Sequence, residues 1–280
     1  MDKTNKTTKA FEQISSTSEL IEYLDSNARL KDSEYVYQYT TISSLVSMLH
    51  SRTLHLGNAK YMNDQLEYQN GNLIAWNNLF FSCFMLEEKE SIGMWSMYAQ
   101  PWQEGVKIAI SKEALRSMVA DTTEIFELSQ ETKRPTGRLL DNNDFKLWIS
   151  AVAYSNYDSI NLKKGIEKLF WGTKNNDKLH GVPRQPELTG YIKDTAWSYE
   201  KEVRLKVQFD NWMNYQRVAI KIPDYVIDSM IITPSPLFEG DFEKRLEQEI
   251  VQQIRTEKSV FVGKLSIRTA CDRCSIKNPQ

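Results

Sequence analysis

The stretch from Glu202 to Phe209 constrains the fold more than any other part of the chain. Val203, Leu205, Val207 and Phe209 alternate with Arg204, Lys206 and Gln208. That is the period-2 pattern of a half-buried strand, apolar on one face and polar on the other. Glu200 and Glu202 stand at its mouth, flanked by Trp197, Tyr199 and Arg204. A carboxylate so placed can stabilise a developing positive charge or orient a hydroxyl, which makes this segment the first candidate for chemistry. The structural alternative is a pair of salt bridges from the glutamates to Lys201, Arg204 or a basic stretch elsewhere.

The other elements follow from periodicity and turn chemistry. Strands are expected at 34–39, 53–57, 79–84, 105–110, 217–222 and 228–233, with a closing strand at 260–268. Helices are expected at 9–24, where Ser18 is a plausible N-cap, and at 42–50, opened by Thr40 or Thr41. Further helices are expected at 65–76, 91–99 and 237–256. Residues 112–190 read as mostly helical, with a turn-rich gap around 172–186. Two groups of strands separated by a helical insertion imply an α+β fold. The domain plan is an N-terminal helical extension (1–33), one domain (34–270) with an insertion at about 112–190, and a polar tail (271–280).

Composition excludes more than it proposes. The 280 residues carry a net charge of -2, so nucleic acid or an anionic membrane would have to be met by a local patch. Such a patch exists on paper in residues 160–190. There Lys163, Lys164, Lys168, Lys174, Lys178 and Arg184 outnumber Glu167, Asp177 and Glu187, interleaved with Phe170 and Trp171. Backbone phosphates attract such a stretch and bases stack on its rings, although a solvated helix face explains it equally well. No apolar run approaches the roughly 20 residues that span a bilayer. The polar start lacks the apolar region of a secretory signal, so cytoplasm is the expected location. The pair Cys271 and Cys274 has no further ligands at metal spacing, and no metal is expected.

Several motifs carry candidate ligand-binding residues. Tyr35, Tyr37 and Tyr39 share one side of a strand, with Val36 and Gln38 on the other. They read as a buried stripe, or as a strand whose Gln38 or tyrosine hydroxyl meets a ligand. Asn63 and Asp64 open a loop whose simplest role is an N-cap, completed by Glu67 as a capping box. Phe81-Ser82-Cys83-Phe84 leads to Met94-Trp95-Ser96-Met97-Tyr98, where Trp95 and Tyr98 share a helical face, more often a core feature than a platform.

Taken in order, these pieces resemble a widespread bacterial domain of unknown function. Its pattern is a tyrosine-rich strand, an Asn-Asp-x-x-Glu loop, a Phe-Ser-x-Phe strand, a Met-Trp-x-x-Tyr helix, a Gly-led strand and a Trp-x-Tyr-Glu-x-Glu-x-Arg strand. Here they are residues 37–40, 63–67, 81–84, 94–98, 105–110 and 197–204. The layout is similar, more distantly, to ADP-ribosyltransferase folds, especially DarT-type toxins that modify nucleic acid. In Tyr37-Gln38-Tyr39-Thr40, Gln38 stands where those proteins carry a histidine that contacts the adenosine ribose of NAD.

The resemblance implies an ADP-ribosyltransferase-like mixed sheet, NAD as co-substrate, a nucleic-acid acceptor and an antitoxin partner. Cleavage of the nicotinamide–ribose bond passes through an oxocarbenium-like state in which a hydrogen bond to the adjacent 2-hydroxyl strengthens. Glu202 is the expected partner of that hydroxyl and Glu200 the expected activator of the acceptor. Tyr98 or Trp95 would face nicotinamide, Arg204 or Asn63 the pyrophosphate, and Ser82 the nicotinamide ribose or amide. Tyr37, Gln38 and Tyr39 complete the expected NAD site, while Lys163, Lys164, Lys168, Trp171 and Lys174 are the expected nucleic-acid contacts. Protein ADP-ribosylation or NAD hydrolysis would share the first half-reaction. A non-catalytic binding or sensing module is the alternative of a different class.

Overall fold

A computed structural model describes residues 34–63, 77–128, 135–140, 145–155, 190–209, 215–250 and 254–264. The expected helices at 9–24 and 65–76, the basic stretch at 160–189 and the Cys271/Cys274 pair lie outside the described residues. Asp64 and Glu67 lie outside them as well.

The chain enters as β1 (Tyr35–Thr41), followed by α1 (Ile42–Ser51). Thr41 caps α1, its hydroxyl accepting the Ser44 N–H at 3.2 Å. Then come β2 (Thr53–Asn58), β3 (Leu79–Met85), α2 (Ile92–Tyr98), β4 (Gly105–Ser111) and α3 (Lys112–Asp121). Four strands follow: β5 (Ile125–Leu128), β6 (Pro135–Leu140), β7 (Phe145–Ala151) and β8 (Ala153–Ser155). After β9 (Ile192–Asp194), a 3-10 turn over Thr195–Glu200 leads into β10 (Glu202–Phe209). The chain closes with β11 (Arg217–Lys221), α4 (Asp224–Asp228), β12 (Ile231–Pro234), α5 (Phe242–Glu249) and β13 (Arg255–Thr256).

Helices and strands mix around one sheet that is antiparallel except for the β12–β13 pairing. The sheet order β13-β12-β4-β1-β3-β2-β11-β5-β6 branches at β3, whose other edge carries β10 and then β7. Val203, Leu205, Val207 and Phe209 of β10 join the main core with residues of α1, α3, α4 and α5.

Three expectations are corrected. Residues 112–190 are helical only over Lys112–Asp121 among the described residues, because 125–128, 135–140 and 145–151 are recruited into the main sheet and 153–155 into a small second one. The closing strand is absent at 260–264, which form turns. There the Val260 N–H is drawn to the Glu90 carboxylate at 2.8 Å rather than to a strand. The last helix covers only Phe242–Glu249, since Asp241 caps its start and Ile250 is already extended.

β10 also differs from a half-buried strand: every one of its residues is buried. Its polar face is covered by rings instead of water. Arg204 lies over Phe81 at 4.9 Å, and Lys206 has Trp148 and Tyr191 at 4.5 and 4.8 Å. Cations packed on aromatic faces keep part of their electrostatic stabilisation after leaving water.

Candidate functional site

The branch in the sheet creates the site. Along one edge of β3, β1 pairs only at Tyr37↔Met85 and β2 only at Gly57↔Phe81 and Asn58↔Phe80. Between these contacts β1 and β2 diverge, and Gln38 spans the split. Its amide nitrogen donates to the Cys83 carbonyl at 3.2 Å and lies 3.5 Å from the Ser82 hydroxyl. A side-chain donor thus satisfies a backbone acceptor that a neighbouring strand would otherwise take.

A cavity of about 300 Å³ opens over this split. Of the ten residues expected at the reaction and NAD sites, eight line it: Tyr37, Gln38, Tyr39, Asn63, Ser82, Tyr98, Glu200 and Glu202. The other two do not. Trp95 is fully buried behind the wall, its indole N–H bonded to Glu90 at 3.1 Å and its ring edge-on to Tyr39 at 4.8 Å. Arg204 is fully buried beneath Glu202 and grips it through Nε at 2.8 Å and Nη2 at 3.0 Å.

The two glutamates reach the cavity by a route the strand pattern did not show. Glu200 ends the 3-10 turn and Glu202 begins β10, separated by Lys201 in the left-handed region at φ 41°. A kink at Lys201 thus separates them, yet both carboxylates converge on Lys193. Its ammonium is 2.5 Å from Glu200 Oε2 and 3.2 Å from Glu202 Oε2. Tyr98 donates its hydroxyl hydrogen to Glu200 Oε1 at 2.5 Å.

Burial pushes the Glu202 carboxyl up, but Arg204 and Lys193 more than offset this and hold it at about 2, against an ordinary 4.5. Glu202 is thus a charged carboxylate in a nearly dry wall. Burial raises the Tyr98 hydroxyl well above its usual range, helped by Glu200, and pushes the Cys83 thiol up, helped by Glu202. Neither is an anionic nucleophile in this state. Burial raises the Tyr37 hydroxyl to about 12.

Sequence reasoning missed Lys193, Tyr154, Cys83 and Gly190. Tyr154 accepts the Glu202 N–H on its hydroxyl at 2.8 Å, and Cys83 donates its thiol hydrogen to the Glu202 carboxylate. Gly190 turns its carbonyl to Arg204 Nη1 at 2.5 Å. Only Cys83 stood inside a quoted motif. Lys193 and Tyr154 lie in three-residue strands too short to show a period. Among the described residues, no three His, Cys, Asp or Glu side chains gather as metal ligands, and no helix is long and apolar enough to cross a membrane.

A family described as Protein of unknown function (DUF2971) matches residues 94–205, under half of the chain. The match begins at Met94 in α2 and ends at Leu205, so it spans Tyr98, Lys193, Glu200, Glu202 and Arg204 and leaves out Gln38 and Ser82. No curated protein and no solved structure matches the chain significantly.

Proposed function

We propose that the cavity binds NAD and that the protein transfers ADP-ribose to a base of nucleic acid. The observation that carries this reading is the ionised, buried Glu202 carboxylate, locked by Arg204 in the wall of a cavity shared with Ser82, Gln38 and Tyr98. Breaking the nicotinamide–ribose bond sends its electron pair to nicotinamide and leaves positive charge on the ribose. A fixed carboxylate that accepts the 2′-hydroxyl stabilises that charge without reorganising. The acceptor atom then bonds to the ribose carbon, and its proton passes to Glu200. Of the two rings expected for nicotinamide, Tyr98 has the position and Trp95 does not.

The nucleic-acid acceptor is supported by the cavity's surroundings. Tyr61 and Tyr199 are the most exposed aromatic rings among the described residues, at 56% and 47%. Tyr61 lines the cavity with Lys60 over its ring at 4.8 Å, and Tyr199 adjoins Glu200. Exposed rings beside a cation suit an unstacked base and its phosphate. A toxin or antiphage role, with a neutralising antitoxin partner, accords with such an activity.

A second reading is a nucleotide-binding or sensing module without catalysis. In its favour, the Gln38 amide is committed to the Cys83 carbonyl, and both Glu202 oxygens already accept hydrogen bonds from Arg204 or Lys193. One experiment separates the readings: labelled NAD incubated with RNA, DNA and protein, for the parent, Glu202→Gln and Ser82→Ala. Label on RNA or DNA from the parent alone supports the transferase, and label on protein moves the acceptor. Free nicotinamide without transfer leaves an NAD hydrolase. Bound NAD without turnover gives the binding module, and neither binding nor turnover rejects the NAD site.

A further inference from the structure

β8 and β9 form a two-stranded parallel sheet of their own, separate from the main one, in which Tyr154 is paired directly with Lys193. Three-residue strands contribute little core, so their placement calls for another explanation. Both paired side chains meet the Glu200–Glu202 segment. Tyr154 accepts the Glu202 N–H, and the Lys193 ammonium bridges the two carboxylates. β8 is fixed to the same place by the backbone, since the Val152 N–H just ahead of it donates to the Glu202 carbonyl at 2.8 Å.

We propose that this small sheet is a clamp, and that Lys193 is a positioning residue holding Glu200 and Glu202 in one orientation. Lys193 is 4% exposed, and its ammonium also lies over the Trp197 ring at 4.6 Å. A lysine confined by a ring and two carboxylates has lost the freedom that makes exposed ion pairs weak. Its contact to Glu200 is the shorter, while Glu202 is fixed in addition by Arg204 through both carboxylate oxygens. The clamp also explains how two glutamates on either side of a left-handed residue face one cavity: without a cation between them they would repel. The consequence for catalysis rests on the transferase reading, whereas the clamp itself does not.

Other groups face this pair. Arg204 contacts Glu202 from its own strand, as do Cys83 from β3 and Tyr154 from β8; Tyr98 from α2 contacts Glu200, and Tyr199 lies near Lys193. Arg204 alone would keep Glu202 partly ionised, so removing Lys193 is expected to move its titration without abolishing it.

The test is a carbon NMR titration of protein carrying labelled glutamate carboxyl groups, for the parent, Lys193→Met and Lys193→Arg. NAD turnover against pH is read in parallel. In the parent, the Glu202 resonance is expected to stay ionised to about pH 2–3. Lys193→Met is expected to raise its midpoint by about one unit or more, and Lys193→Arg by less. The acid limb of turnover should move by the same amount. A parent in which every glutamate titrates in the ordinary range overturns the clamp even if the Met variant fails to fold. An unmoved midpoint in a folded Met variant also overturns it. A shifted midpoint in a protein that does not turn over NAD keeps the clamp and rejects the transferase reading.

Discussion

At the scale of single residues, the site is an exercise in keeping charge inside protein. Glu202 is buried with Arg204 and Lys193, and removing one partner of such a group leaves the others uncompensated. Glu202→Gln is therefore expected to destabilise the fold by roughly 3 kcal/mol at neutral pH. The pH dependence has a definite sign. The folded carboxyl sits below its ordinary value, so its stabilisation is complete above about pH 4.5 and is lost as pH falls towards about 2. Urea melts of the parent and the variant at pH 7, 5 and 3 should show a gap that narrows at pH 3; a gap independent of pH would contradict this. Gly190 makes a second residue-scale case. Its φ is 81°, and a Cβ there would stand 2.3 Å from the Phe81 ring. Gly190→Ala should cost about 2–4 kcal/mol and loosen the Arg204 grip, read as a lowered melting temperature. Most of these details could not be seen beforehand. The resemblance gathered Glu200, Glu202, Ser82, Tyr98 and Gln38 in one expected site, and all five line the cavity, each from within a compact motif. It misplaced Trp95 and Arg204, since a tryptophan or arginine beside a cavity looks the same in sequence whether it faces in or backs the wall.

At the scale of elements, local signals worked where capping and period agreed. Thr41, Ser91 and Ser111 each accept a backbone N–H at a helix start, and β1 to β4 fall within two residues of their expected bounds. They failed at β7, whose Lys146, Leu147 and Ala151 are good helix formers by propensity. Seven pairs to β10, from Val203↔Ala151 to Phe209↔Phe145, override that preference. The split between β1 and β2 is likewise invisible without knowing which strands meet. Its wedge, Gln38, yields a prediction: Gln38→Leu has similar bulk but leaves the Cys83 carbonyl without its amide donor, at a cost of about 1–3 kcal/mol. Hydrogen exchange of β3 amides should speed up around Ser82–Phe84 and stay unchanged in β11. Uniform exchange across both strands would mean the wedge has no local role.

At the scale of the whole molecule, the cavity is assembled from distant parts of the chain. β10 pairs with β3 over seven residues, from Glu202↔Met85 to Gln208↔Leu79, so the strand carrying Glu202 is completed by residues more than a hundred positions earlier. The family match, in contrast, begins at Met94 and so excludes β1, β2 and β3. A polypeptide of residues 94–205 would keep only Glu202–Leu205 of β10 and would leave the edge of that short strand, which β3 otherwise pairs, open. It would also lack the Gln38, Ser82 and Cys83 walls. An open, flat edge with an apolar face favours self-association over a stable fold. The segment 94–205 made alone is therefore expected to show poor amide dispersion by NMR and no cooperative melt. Residues 34–264, which carry every described strand, should melt in a cooperative transition. A cooperative, dispersed 94–205 fragment would mean that β3 is dispensable and that the carboxylate pair is held from the β7–β10 side alone. In that case the Lys193 bridge should persist in the fragment, which the same glutamate titration would reveal.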